Sequence, residues 1–255
     1  MFPHLQAITP LLKENFSDAF LLVTASTRER CPESIRWLIE DPYYRLFLPE
    51  DRLFVGDQFA TLYRQVSAKT PPDQQLHLCF LDRLVFALRT EHCAQFIADI
   101  HAASDETSPL IFQRSEKAWK THPQNYFEVE NFITTIGKSL FGKTLDYAWC
   151  HLVIRTNQLQ EIMPRVKNSD MSMLAEMILL LQDNIKTKEV DWLSWEDPFL
   201  LSRDSDELKG EKECNQAETQ KRLAYALPML STLMQFSLKQ EGQGLERSTP
   251  ALQRR

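Results

Sequence analysis

Short apolar segments alternate with amphipathic helical segments along the first 200 residues of this 255-residue chain. Apolar segments bounded by polar residues are typical of strands buried in a sheet. They lie at 19–25, 51–56, 75–82, 110–113, 147–154 and 190–195. Segments with helical periodicity lie between them, at 31–39, 59–66, 83–103, 127–140, 157–166 and 171–186. This alternation predicts an α/β fold with an open, mostly parallel sheet flanked by helices.

The C-terminal part of the chain has a different pattern. A helix is predicted over about 216–238, interrupted at Pro228, and its leucines pack either on the chain's own sheet or on a partner copy in a homo-oligomer. The predicted organisation is an α/β domain over 1–200, a charged linker and C-terminal helix over 201–240 packed on that domain, and a disordered tail over 241–255.

Composition and charge exclude several classes of protein. With 43% hydrophobic and 25% charged residues, the chain has the composition of an ordinary folded domain. A formal net charge of −6, without a stripe of basic residues, argues against a nucleic-acid partner. No apolar run reaches the roughly 18 residues of a membrane span, and the N-terminus lacks the pattern of a secretory signal. Five widely spaced cysteines without a CxxC pair predict reduced thiols and a cytoplasmic protein.

The six glycines exclude several glycine-dependent sites. The sequence contains neither GxGxxG nor GxxxxGK[ST], which argues against a Rossmann fingerprint and a P-loop. It also lacks GxSxG, which argues against a serine hydrolase built on a nucleophile elbow.

Two predicted strand ends carry polar groups where ligands bind in open α/β sheets. After the first strand, Thr24, Ser26 and Arg28 offer hydroxyls and a guanidinium to a nucleotide, or form an ordinary polar loop. After the third strand, Asp82 is either an oxygen ligand for Mg²⁺ or Mn²⁺ or the N-cap of the next helix.

Acids and a tryptophan end the last predicted strand. Glu196 and Asp197 hold one metal, or one acts as a base while the other orients it, or the two form a solvated turn before Pro198. Trp195 adds an aromatic wall suited to flat or sugar-like ligands.

Glu176 lies in a helix of mostly apolar residues. Burial would raise the pKa of its carboxyl and suit it to base catalysis, whereas a position on the narrow polar side of the helix would leave it solvated.

Arginines and histidines complete the set of candidates. Arg114 and Arg155 each follow a predicted strand, as phosphate-binding arginines do, or are surface charges. The histidines form no HExxH motif, and His77 and His151 are interpreted as core residues of apolar strands.

The order of these segments resembles the nucleotide-sugar glycosyltransferases of the GT-A fold, particularly the enzymes that make glycosyl phosphoglycerates. The likeness rests on the strand and polar loop at 20–28, on Phe80-Leu81-Asp82, and on the run from Leu152 through 175–180 to 189–193. It implies a nucleotide beside the first loop, a metal held by Asp82 with Glu196 or Asp197, and Glu176 near the acceptor. The family's DxD motif is reduced to Asp82-Arg83-Leu84, its glycine-rich acceptor loop is absent, and its nucleotide-contacting acid corresponds at best to Asp57.

The resemblance implies a glycosyltransferase-like protein that moves a sugar from a nucleoside diphosphate donor to a small or phosphorylated acceptor, assisted by Mg²⁺ or Mn²⁺. The alternative is a non-catalytic binding or scaffold protein that kept the fold and lost the reaction, because fold likeness alone does not decide function. A metal-dependent hydrolase that uses Glu196 and Asp197 is the third hypothesis.

Overall fold

The computed structural model describes residues 1–50 and 53–247, which form helices around two small sheets. The strands are β1 (Ala19–Leu22), β2 (Tyr44–Phe47), β3 (Gln75–Cys79), β4 (Leu110–Arg114), β5 (His151–Arg155) and β6 (Lys186–Val190). The helices are α1 (Phe2–Asn15), α2 (Ala25–Arg30), α3 (Pro32–Glu40), α4 (Val55–Lys69), α5 (Leu81–Arg89), α6 (Cys93–Ala103), α7 (Glu116–Thr121), α8 (Gln124–Phe141), α9 (Thr156–Ile162), α10 (Ser172–Leu181), α11 (Asp197–Leu201), α12 (Ser205–Cys214) and α13 (Gln216–Arg247).

The chain is mixed α/β with a long C-terminal helix, but the expectation of one open, mostly parallel sheet is wrong. β1 and β2 form a separate parallel pair, and the other four strands form a sheet in the order β3-β5-β4-β6. β5 runs antiparallel to both of its neighbours, while β4 and β6 are parallel. A parallel neighbour needs a connection that crosses back to the end of the sheet at which β4 begins. Here α7, α8 and the loop before β5 leave the chain at the end of the sheet at which β4 finishes, so β5 runs in the opposite direction.

The four-stranded sheet lies between two helical layers because its residues alternate between two apolar clusters. Leu152 and Ile154 of β5 pack with residues of α4, α9, α10 and α13, whereas Val153 packs on the opposite face with residues of α1, α5 and α6. Each face therefore has its own core.

Several element boundaries differ from the sequence expectations. Of the strand expected at 51–56, residues 51–52 lie outside the described residues, and Val55 and Gly56 begin α4. β6 ends at Val190, so the acidic segment at 196–197 follows a turn and begins α11 rather than ending a strand. The charged segment expected as a linker contains α12, whose first turn is capped by the Asp204 carboxylate.

The C-terminal helix α13 packs on α8 and α10. It continues through Pro228, and Ala226, Met229 and Leu233 form its buried face. Of the tail expected over 241–255, the first residues belong to α13 and 248–255 lie outside the described residues.

Across residues 1–50 and 53–247, no helix combines the length and apolar character needed to cross a membrane.

Candidate functional site

A cleft of about 710 Å³ separates the two sheets. Every residue of β1 and β3 contributes to its walls, together with aliphatic and aromatic side chains of α1, α4 and α6. Phe59 and Phe80 stack in its wall with ring centroids 4.8 Å apart. A cleft of this size and apolar character matches the sites that proteins use for small ligands.

The charged groups of the cleft are few. Its walls include Asp18, Asp82 and the imidazoles of His77 and His101, and no lysine or arginine of the described chain lines it. Asp18 is paired with Arg45 at 3.1 Å, whereas Asp82 lies in the first turn of α5 and accepts the Arg83 backbone N–H at 2.9 Å. Asp82 is thus the sequence-predicted acid that lines this cleft.

The polar residues after β1 form a short helix instead of an open ligand loop. Thr24 is the N-cap of α2 and accepts the Thr27 N–H at 3.3 Å, and Ser26 is exposed. Arg28 donates to the Pro49 carbonyl oxygen at 2.7 Å. These contacts give Thr24 and Arg28 structural partners, and none of the three lines the cleft.

Glu176 and Asp57 lie on either side of the loop at 167–170. Glu176 Oε2 accepts the backbone N–H groups of Lys167 and Asn168, both at 2.9 Å. The Asp57 N–H, in the first turn of α4, donates to the Ser169 carbonyl at 3.2 Å. Neither acid lines the cleft, and the Glu176 carboxylate holds the loop that precedes α10.

Arg114 belongs to a set of ionic side chains that we call the buried charge cluster: Arg83, Arg114, Glu130 and Glu196, which are buried, and Asp146, which is half-buried. Arg114 pairs with Glu130 at 3.0 Å and with Asp146 at 3.4 Å. Its guanidinium also lies 4.5 Å from the centroid of the Trp119 ring. Burial raises the pKa of Asp146 to about 6, with the Glu130 carboxylate adding to the effect.

Glu196 forms an ion pair with Arg83, and both side chains are buried. Burial lowers the pKa of Arg83, and the nearby Arg114 charge acts in the same direction. Because Glu196 already has a cationic partner, a metal ion at Glu196 would have to displace Arg83. Asp197 begins α11, and neither it nor Glu196 lines the cleft with Asp82. The three expected metal ligands therefore do not form one donor set that fits Mg²⁺ or Mn²⁺.

Trp195 and Arg155 are positioned by their own local contacts. Trp195 is buried, its backbone N–H donates to Thr121 Oγ1 at 2.8 Å, and its ring meets Tyr126 edge-on. Arg155, partly exposed at the end of β5, donates to the Asp73 carbonyl oxygen at 3.2 Å. Trp195 does not line the cleft, and neither does Arg155.

A second, more polar pocket of about 580 Å³ lies where β4 and β6 end. Arg114, Asp146 and Glu189 line it beside Trp119 and Lys120. Of the sequence-predicted residues, Arg114 is the one that lines this pocket, and its charge is already shared by Glu130 and Asp146.

The sequence interpretation missed that His77, Cys79 and His151, whose side chains are of types that bind metals, lie close together. The donor atoms of these residues lie within 4.8 Å of one another. His77 Nε2 and His151 Nδ1 are 2.9 Å apart, and His77 and Cys79 line the cleft. Burial lowers the pKa of His77 to about 3 and raises the pKa of the Cys79 thiol to about 12. The two histidines are 74 positions apart in the sequence and meet through the antiparallel pairing of β3 with β5. The sequence pattern gave no signal for that pairing.

Comparisons with protein-family models, with curated proteins and with solved structures find no significant match to this chain.

Proposed function

We propose that the cleft between the two sheets binds a nucleoside diphosphate sugar and that the protein is glycosyltransferase-like, with a small or phosphorylated acceptor. One observation carries this proposal: β1 and the β3–Asp82 segment line the same cleft, and the family resemblance assigned the nucleotide to the first and the acid motif to the second. Its volume of about 710 Å³ lies within the range of small-molecule sites.

The cleft supports donor binding more directly than catalysis. Its aromatic wall at Phe59 and Phe80 suits a stacked base, and its apolar lining keeps water from the bound sugar. Asp82 lines the cleft, and in this proposal its carboxylate accepts a proton from an acceptor hydroxyl. We assign no part of the proposed transfer to Glu176, whose carboxylate already binds two backbone N–H groups. Since Glu196 and Asp197 do not line the cleft, a divalent ion, Mg²⁺ or Mn²⁺, is proposed at Asp82 alone.

Thermal unfolding with UDP-, GDP- and ADP-sugars, with and without Mn²⁺, tests the donor proposal. A donor that binds the folded protein at about 100 times its Kd adds about 2.7 kcal/mol to the free energy of unfolding and raises Tm. We expect one donor class to raise Tm in the wild type and in Asp105→Ala, an exposed control, but less in Asp82→Ala. No Tm change with any donor, together with unchanged behaviour of Asp82→Ala, would contradict the proposal.

The second candidate is a non-catalytic binding protein on the same fold. Two contacts favour it: Arg83 neutralises Glu196, and Glu176 is used to hold a loop. The cleft also offers a diphosphate no lysine or arginine from the described residues. Release of nucleoside diphosphate from a bound donor separates the two candidates, because the transferase releases it over repeated turnovers and the binding protein does not.

We further propose that α13 contributes to a homo-oligomer and that the protein works in the cytoplasm. The cytoplasmic proposal is supported by the five cysteines, which are all free thiols. Beside its buried face, α13 has a stripe of exposed apolar side chains, Leu223, Leu227, Met234 and Leu238. Light scattering should give a multiple of the chain mass for the wild type and a lower mass for Leu227→Glu. Equal masses at the single-chain value would overturn the oligomer.

A further inference from the structure

We propose that His77, Cys79 and His151 form a site for a transition-metal ion of the Zn²⁺ type, with an open coordination position facing the cleft. This inference does not depend on the proposed glycosyl transfer. It rests on the geometry of two paired strands and on the chemistry of the three side chains.

The antiparallel register places the three side chains on one face of the sheet. Cys79 of β3 pairs directly with His151 of β5, and His77 precedes Cys79 by two residues. Directly paired residues share a face, as do residues two apart on one strand. The group is therefore formed by regular strand pairing and needs no unusual backbone conformation.

The distances are close to those of a metal site. The three donor atoms lie within 4.8 Å of one another, with the two imidazole nitrogens at 2.9 Å. Zinc with bond lengths of about 2.0–2.3 Å in a tetrahedron places its ligand atoms roughly 3.5 Å apart. Metal binding therefore requires side-chain rotations that bring the sulfur inward and separate the nitrogens while the paired strands keep their register.

The ligand types select the class of metal. Imidazole nitrogen with thiolate sulfur favours zinc and related transition metals, whereas Mg²⁺, Ca²⁺ and Mn²⁺ prefer oxygen ligands. Two histidines and one cysteine are three protein ligands, the number found in zinc sites that keep a fourth position for water or substrate.

Aromatic rings pack against both imidazoles, and two of the three side chains line the cleft. The His77 ring stacks on Phe16 with centroids 5.9 Å apart, and the His151 ring meets Trp192 edge-on at 4.9 Å. His151 is fully buried, whereas His77 and Cys79 line the cleft. The fourth ligand position therefore faces the 710 Å³ cleft.

The competing account is a metal-free histidine pair that stabilises the core through the hydrogen bond between His77 and His151. Cobalt binding to the full-length, reduced and chelator-treated protein distinguishes the two. We expect one Co²⁺ per chain, with intense visible bands of tetrahedral coordination, a near-ultraviolet thiolate charge-transfer band, and displacement of Co²⁺ by Zn²⁺. Absence of these bands in the wild-type protein overturns the proposal.

Four single variants assign the site. Cys79→Ser should abolish the charge-transfer band, and Cys79→Ser and His77→Phe should each weaken Zn²⁺ binding at least about tenfold. His77→Phe keeps an aromatic ring beside Phe16, which preserves the packing. Cys31→Ser and His101→Ala should bind as the wild type does, since Cys31 lies on another element and His101 is an exposed residue of the cleft.

Circular dichroism checks that each variant is folded, and the wild-type titration decides the proposal even if one variant is not. Zn²⁺ binding that stays at wild-type strength in both folded Cys79→Ser and folded His77→Phe would place the metal on other groups and refute the site.

Discussion

At the residue scale, the ion pair of Arg83 and Glu196 is a contact whose loss should be costly. Both side chains are buried, so removal of one leaves the other charged and without its partner. Breaking a buried pair costs about 3–5 kcal/mol, whereas replacing both partners with apolar residues is often far less costly.

Chemical denaturation of Arg83→Met, Glu196→Met and the double variant measures this effect. We expect Arg83→Met to lower the free energy of unfolding by about 3–5 kcal/mol, and the double variant to lose less than the sum of the two single changes. Lys120→Ala, which removes an exposed pair with Glu116, is the control and should cost less than about 0.5 kcal/mol. Additive losses would mean that the two side chains are not coupled.

Glu176 should act on stability through the loop at 167–170. Its charged oxygen accepts two N–H groups, so Glu176→Ala leaves both donors without this partner and should cost about 2–3 kcal/mol. Glu176→Gln keeps a carbonyl oxygen in place and should cost about 1 kcal/mol. Urea denaturation measures both variants, with the exposed Glu161→Ala as a control expected to change stability by less than about 0.5 kcal/mol. Unchanged stability of Glu176→Ala would argue against the structural role.

The residue types of several candidates were predictable, but their partners were not. The sequence left Glu176 either buried or on the narrow polar side of its helix, and the structure gives it a partly exposed position. Its binding to the loop at 167–170 depends on how that loop folds back, which hydrophobic periodicity does not describe. The Arg83–Glu196 pair joins positions more than 100 residues apart, so the sequence pattern contained no signal for it.

At the element scale, the apolar pattern located several strands but did not give their directions. β1 and β3 lie within the predicted segments and β4 extends one residue beyond its own, because short apolar runs report burial directly. Burial does not report strand direction, so a mostly parallel sheet was expected, whereas β5 runs antiparallel to both of its neighbours. The antiparallel direction brings His151, the first residue of β5, beside Cys79, the last residue of β3, which is why the histidine group could not be predicted.

The close approach of α4 to the loop before α10 depends on Gly56. A Cβ atom at this position would lie 2.1 Å from the Asp170 carbonyl oxygen, so Gly56→Ala must push the helix and the loop apart. We expect a loss of about 1–3 kcal/mol in the free energy of unfolding.

Gly210→Ala is the matched control for that change. Gly210 lies inside α12 with no atom within 4 Å of an added Cβ, so alanine should stabilise the helix by about 0.5–1 kcal/mol. Denaturation of the two variants should therefore give changes of opposite sign, and a loss of the same size in both would contradict the close-approach argument.

At the scale of the whole molecule, the buried charge cluster connects the sheet to the helices on both sides of it. Arg83 belongs to α5, Arg114 to β4 and Glu130 to α8, while Arg222 of α13 lies 3.6 Å from Glu130. Elements from the beginning, middle and end of the chain therefore share one electrostatic environment. A change in the charge of one member should change the stability of the entire fold.

Asp146 makes that coupling measurable through pH. Because burial raises the pKa of its carboxyl to about 6, the native state binds this proton more tightly than the unfolded chain, where the pKa is about 3.9. This contribution is fully present below about pH 4 and is lost as the pH rises through about 6. Between these limits the wild type should lose about 2 kcal/mol more stability than Asp146→Asn, whose side chain stays neutral.

Denaturation across this pH range measures the difference, with the exposed Asp105→Asn expected to follow the wild type. Parallel curves for the wild type and Asp146→Asn would mean that Asp146 ionises alike in the folded and unfolded chain.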